Sequence, residues 1–90
     1  MTLPYDVEVS SAAIRGLERL PPKVAAAVVE FITVTLAENP QRLSKPLRGQ
    51  FEGYRTARRG DYRVLLRIDE PGHFVLVARI DHRAHAYRPL

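Results

Sequence analysis

The stretch YRTARRGDYR at 54–63 decides the reading of the chain, because two short runs carrying arginines flank the pair Gly60-Asp61. Gly and Asp tolerate the positive φ of a tight turn, and the Tyr, Thr and Val residues on either side favour strands, so the stretch predicts a β-hairpin loaded with positive charge. Alternate residues of a strand point to opposite faces, and the length of the loop decides which residues of the two strands share one. A three-residue loop, Arg59-Gly60-Asp61, sets Arg58 opposite Tyr62. It gathers Tyr54, Thr56, Tyr62, Val64, Leu66 and Ile68 on one face and Arg55, Ala57, Arg63, Leu65 and Arg67 on the other. A two-residue loop, Gly60-Asp61, pairs Arg59 with Tyr62 and sends Arg55 and Arg63 to opposite faces. The three-residue loop is preferred here because it separates an apolar face from a basic one.

Working outward, 53–58, 62–69 and 74–81 read as three strands of an antiparallel meander, with Glu70-Pro71-Gly72-His73 as its second turn. In the last strand Phe74, Leu76, Ala78 and Ile80 are expected on the core face, with Val75, Val77 and Arg79 opposite. Towards the N-terminus, Tyr5-Asp6-Val7-Glu8-Val9 alternates apolar and charged residues as a half-buried strand does, and Ser10 or Ser11 then offers a helix N-cap. Ile14, Leu17 and Leu20 form an apolar stripe, and Pro21-Pro22 ends that helix and opens the next. Val24, Val28, Phe31, Ile32, Thr35 and Leu36 trace one face of a second helix over 23–39, which Asn39-Pro40 stops. The string Lys45-Pro46-Leu47-Arg48-Gly49 leads back into the sheet. The expected fold is α+β: one domain over 1–90, with a two-helix hairpin packed on one face of a small, mostly antiparallel four-stranded sheet in the order β-α-α-β-β-β.

Composition narrows the function. The 90 residues are 46% hydrophobic and 27% charged, as in a folded domain, and the net charge of +4 is unevenly spread. Residues 1–41 hold three basic and five acidic side chains, whereas 42–90 hold eleven basic and five acidic, so the C-terminal half suits a polyanion. Cys is absent, which removes disulfides and thiolate metal sites. His82 and His85 lack company as metal ligands, and Asp61, Asp69, Glu70 and Asp81 are scattered over strand ends and turns, which argues against a two-metal nuclease. No metal and no cofactor are expected. The N-terminus lacks a basic region followed by an apolar stretch, and the longest apolar run, 24–29, is too short for a bilayer, so the expectation is a soluble, cytoplasmic protein with no membrane partner.

Three strings in this order and spacing, KPLRG at 45–49, YRTARRGDYRVLLRID at 54–69 and HRAHAYR at 82–88, resemble the RelE/ParE superfamily of bacterial toxins over nearly the whole chain. The likeness is closer to RelE-type ribonucleases than to ParE-type gyrase poisons. It implies cleavage of messenger RNA, in RelE usually on the ribosome, and a cognate antitoxin that wraps and neutralises the toxin in a hetero-oligomer. Carried over residue by residue, it implies Arg55, Arg63, Arg83 and Tyr87 as catalytic residues. Lys45, Arg48, Arg58, Arg59 and His85 join them as expected RNA contacts. A second lysine that some members carry two residues beyond Arg55 is Ala57 here, leaving Arg58 or Arg59 as its substitute.

The chemistry suits these residue types in its own right. RNA can be cut by its own 2′-hydroxyl, so a protein need only orient the backbone, take one proton, return one and stabilise the added negative charge. A guanidinium is planar, permanently charged and bidentate toward phosphate, which makes Arg63 the first choice for the scissile phosphate. Arg83 suits the leaving oxygen, and Tyr87 or His85 the proton transfer. An open basic groove lined by Arg55, Arg63 and Arg83 is expected on the sheet face away from the helices. The alternatives are a ParE-like, non-enzymatic inhibitor of DNA gyrase and a basic nucleic-acid-binding module without toxicity.

Overall fold

Ser10 sets the boundary between the first strand and the first helix. In the computed structural model, which describes residues 3–82, its hydroxyl accepts from Ala13 N at 3.1 Å and donates to Ala78 O at 2.6 Å. The elements are β1 (Asp6–Val9), α1 (Ser11–Glu18), α2 (Pro22–Glu30) continued by a π-helical stretch (Phe31–Leu36), α3 (Pro40–Leu43), β2 (Ser44–Pro46), β3 (Arg55–Arg59), β4 (Tyr62–Asp69) and β5 (Phe74–His82). The strands form one sheet in the order β1-β5-β4-β3-β2, antiparallel except for β1 against β5. The α+β reading therefore stands, with one strand more than expected: Ser44 and the first two residues of the KPLRG string form an edge strand, β2, paired with β3.

The two long helices cover one face. Val28, Ile32 and Leu36 pack with Ala57, Val64, Leu66, Val75, Val77 and Ile80 in one buried cluster. The expected stripe of α1 needs correction, because Ile14 is 47% exposed while Ala13 and Gly16 are buried. The reason is close approach: a Cβ on Gly16 would lie 2.3 Å from the backbone oxygen of Ile80, so α1 rests its smallest residues, not its largest, on β5. Thr35, expected on the buried face of the second helix, is exposed.

The hairpin differs from the expectation in phase. Arg59 pairs with Tyr62, Arg58 with Arg63, Ala57 with Val64 and Arg55 with Leu66, so the loop is the two residues Gly60-Asp61. Gly60 has φ 60 and no positive φ occurs at Asp61, the pattern of a type II′ turn with Gly first. The phase of β4 is as expected, with Val64 and Leu66 fully buried. That of β3 is inverted: Arg55, Ala57 and Arg59 lie on the helix side and Thr56 and Arg58 on the open side.

A second correction concerns β5. Leu65 pairs with Arg79 but Leu66 with Val77, so Ala78 is an extra residue, a β-bulge. The bulge changes the phase of the strand midway. Val75 and Val77, expected on the open face, are fully buried together with Ile80, while Phe74 and Leu76 lie on the open side. The carbonyl that the bulge takes out of the regular ladder is the one that Ser10 holds.

Candidate nucleic-acid interface

The open face of the sheet collects charge row by row. One row runs Arg58, Arg63, Asp81 across β3, β4 and β5; the next runs Lys45, Thr56, Leu65, Arg79 from β2 to β5; beyond it Arg67 stands opposite Leu76. Lys45, Arg58 and Arg67 are exposed, while Arg63 and Arg79 are half-buried. Five cations thus share this face. At its far edge β1 adds Asp6 and Glu8, in register with Phe74 and Leu76, so the face is basic at one side and acidic at the other.

Two details mark Arg63 within the field. Its cross-strand neighbours are another arginine, Arg58, on one side and Asp81 on the other. Asp81 is already engaged: Oδ2 accepts from Arg79 Nε and lies 2.8 Å from Arg79 Nη2. Among the described residues, Arg63 Nε is buried and has no hydrogen-bond partner. A buried guanidinium N–H left without an acceptor costs on the order of 1–3 kcal/mol, and a phosphate oxygen would remove that cost.

The expected site residues separate into three groups. Arg63, Arg58 and Lys45 share the open face. Arg55 does not: Nε donates to Ser44 Oγ at 2.7 Å, and Nη2 donates to Gln41 O at 3.1 Å and Ser44 O at 3.0 Å. Ser44 Oγ in turn donates to Pro40 O. Arg55 therefore fastens β3 to the α3–β2 segment on the helix side, and the expected groove of Arg55 with Arg63 is not formed. Arg59 also lies on the helix side, where it borders small cavities with Val24, Ala27 and Phe31 of the second helix. Arg48 is exposed just after β2 and precedes a 3₁₀ turn, Gly49–Phe51. Arg83, His85 and Tyr87 lie outside the described residues.

Arg79 was not singled out from the sequence as part of the site. It was expected on the face away from the core, together with Val77; with Val77 and Ile80 both buried, it is the bulge at Ala78 that lets Arg79 face outward. Tyr54 was read as a core residue, yet its ring lies under the Arg67 guanidinium, 5.2 Å from carbon Cζ to ring centroid, on the open side.

A separate polar cluster closes the opposite end of the sheet. The Tyr5 hydroxyl donates to Glu70 Oε1 at 2.5 Å and accepts from Gln41 Nε2 at 3.0 Å, and Gln41 also donates to Glu70 Oε2. The bond to the Glu70 carboxylate raises the Tyr5 pKa above its ordinary value of 10.0, against a smaller opposing effect of Gln41. His73, at φ 55, stacks on Tyr5 with centroids 3.9 Å apart. This cluster holds the second turn against the N-terminal segment.

Comparison with known proteins bears on the family and the fold. Residues 7–87 match the family described as ParE toxin of type II toxin-antitoxin system, parDE. Toxin RelE of Mycobacterium tuberculosis is 51% identical over 85 residues, covering 94% of this chain and 88% of that protein. This chain belongs to the RelE/ParE superfamily of type II toxin-antitoxin toxins. Toxin RelG of the same organism is 48% identical, covering 96% of this chain and 99% of its own length, so the resemblance within the superfamily is RelE-type. The crystal structure of the toxin-antitoxin complex RelBE2 from M. tuberculosis superposes with a TM-score of 0.86 at 47% identity, over 90% of this chain and 100% of that one. The RelE-like α+β fold expected from the sequence is thereby shown. Among the described residues no helix is long and apolar enough to cross a membrane.

Proposed function

We propose that this toxin is an endoribonuclease that cuts messenger RNA on the open face of its sheet, without a metal or cofactor, and that an antitoxin neutralises it in the cytoplasm by covering that face. The observation that carries the reading is the pair Arg58 and Arg63, two cations directly opposite each other on an open surface, one with a buried donor that lacks an acceptor. Such an arrangement opposes folding and favours an anion.

In this mechanism the 2′-hydroxyl oxygen attacks the adjacent phosphorus, the bond to the 5′-oxygen of the next nucleotide breaks, and a 2′,3′-cyclic phosphate and a 5′-hydroxyl result. Arg63 binds the non-bridging phosphate oxygens, whose charge grows in the transition state, with Arg58 beside it. Lys45 and Arg79 hold the neighbouring backbone. Tyr87 or His85 takes the 2′ proton, and Arg83 gives one to the leaving 5′-oxygen and regains it from solvent; in sequence Arg83 follows His82, which pairs with Tyr62 beside Arg63. The ribosome presents the message. Arg55 has no part in the chemistry here, because its guanidinium is held on the other face.

Gyrase inhibition, the reading that the parDE description suggests, needs no convergent phosphate site. Primer extension on transcripts after induction in cells tests both. Cuts in frame with the message are expected from the natural protein and are expected to vanish in Arg63→Ala; intact messages with induced DNA damage would favour gyrase. Full toxicity from a folded Arg63→Ala protein would refute the ribonuclease mechanism.

A further inference from the structure

We propose that Tyr54 and Arg67 form a nucleobase-stacking subsite, distinct from the phosphate row at Arg63, that takes a base of the bound single-stranded RNA next to the cleavage point. The inference rests on the ribonuclease reading and adds where the strand lies. Arg67 and Arg63 project from the same side of β4 four residues apart, about 13 Å along the strand, which is far enough for a neighbouring nucleotide and too far for the same phosphate. The Arg67 guanidinium lies over the Tyr54 ring, which keeps the two side chains side by side. Guanidinium and phenol groups are both surfaces on which unpaired bases settle.

The surroundings favour a base over a phosphate. Next to Arg67 lies an open cavity of about 500 Å³ bordered by Pro71, Phe74 and Leu76, which are apolar, and by Asp69 and Glu70, which are acidic. Asp6 and Glu8 extend that negative edge in register with Phe74 and Leu76. Carboxylates repel the RNA backbone while apolar walls accept a base, so the strand is oriented with its phosphates toward Arg58, Arg63 and Lys45 and a base toward Tyr54 and Arg67. Other clusters do not offer this combination: the cavity bordered by Lys23, Val24, Tyr62 and Arg59 lies on the helix side.

The test is binding of short 2′-O-methyl RNA strands, which cannot be cut, at low salt, with a single abasic nucleotide walked through the sequence. For the natural protein one position is expected to weaken binding by about 5- to 100-fold when its base is removed, the range for loss of one stacked base. Tyr54→Leu and Arg67→Ala are expected to bind intact and abasic strands alike, and Tyr54→Phe, which keeps the ring, to retain the discrimination. Thermal melts check that each variant is folded. Salt-dependent binding that Arg63→Ala loses, with no position sensitive to base removal, would overturn the stacking subsite and leave the ribonuclease reading intact. Discrimination that survives in Tyr54→Leu would also overturn it. Absence of any salt-dependent binding to RNA would overturn the ribonuclease reading, and the subsite with it.

Discussion

Arg58 and Arg63 stand directly opposite each other across the β3–β4 ladder, on the face that no helix covers. Like charges in this position destabilise a sheet by roughly 0.2–1 kcal/mol relative to small neutral residues. Arg58→Ala is therefore expected to raise the urea midpoint at low salt, and the gain should shrink as salt screens the pair. The same variant should bind RNA more weakly, with the slope of log affinity against log salt reduced by about 1. Chemical denaturation and fluorescence anisotropy across a salt series check both, and a loss of stability in Arg58→Ala would show that the pair is not repulsive.

Arg55 and Arg63 should respond to truncation in opposite ways. Arg55→Ala removes three hydrogen bonds that tie β3 to Gln41 and Ser44, so it should cost about 1–3 kcal/mol of stability. Arg63→Ala removes a side chain whose Nε has no partner among the described residues and whose charge faces Arg58, so stability should hold or rise by up to about 1–3 kcal/mol. Cleavage should fall about 100- to 1000-fold in Arg63→Ala, the usual cost of losing a donor to developing charge. Melting curves set beside cleavage rates decide the matter; a melt lowered more by Arg63→Ala than by Arg55→Ala would contradict these assignments.

Gly16→Ala should be among the most harmful single methyl additions in the described part of the chain. The new Cβ would meet the Ile80 backbone oxygen at 2.3 Å, and backbone on both sides leaves little to yield. Overpacking of this kind costs about 1–3 kcal/mol. Thermal denaturation of Gly16→Ala beside Ala12→Gly, an exposed control on the same helix, separates the clash from helix propensity.

The cluster around Tyr5 predicts a dependence on pH. Because hydrogen bonding to Glu70 raises the Tyr5 pKa in the folded state, the stabilisation it brings is fully present below the unfolded value of about 10 and is lost as pH rises through the higher folded value. The melting difference between the natural protein and Tyr5→Phe should be constant near neutrality and close above about pH 10. A difference that widened in alkali would reverse the sign of the linkage.

Much of this fold is legible in the sequence because several signals are local. Ser10 caps its helix through its own side chain, the prolines at 21–22 and 40 punctuate the helices, and Val64, Leu66 and Ile68 alternate over a strand long enough to fix their phase. What was not legible depends on partners. Whether Arg59 belongs to the loop or to the ladder shifts β3 by one residue, and both readings separate some charge from some apolar surface. The choice fell on the reading that put Arg55 outward, since nothing local announces that Ser44 and Gln41 wait for its guanidinium on the helix side. The basic face was foreseen with Arg63 and Arg67 on it, but Arg58 stands there in place of Arg55, and Arg79, expected away from the core, was not joined to the site. Ala13 and Gly16 were overlooked in favour of Ile14 because hydrophobicity marks what a helix buries, whereas close approach depends on what it lacks.

The extra residue at Ala78 gives β5 two reading frames. Before it, odd-numbered residues, Val75 and Val77, face the core; after it, an even-numbered residue, Ile80, does, and Arg79 and Asp81 are free to face outward as an ion pair. In an unbroken strand of this sequence, Arg79 and Asp81 would turn inward beneath the helices and Ile80 outward. Flattening the bulge while keeping Ala78 in the ladder would thus be a frameshift in three dimensions. It would leave every residue type in place but exchange the inner and outer surfaces of half a strand, whereas deleting Ala78 would join Val77 to Arg79 in a regular ladder with both faces kept.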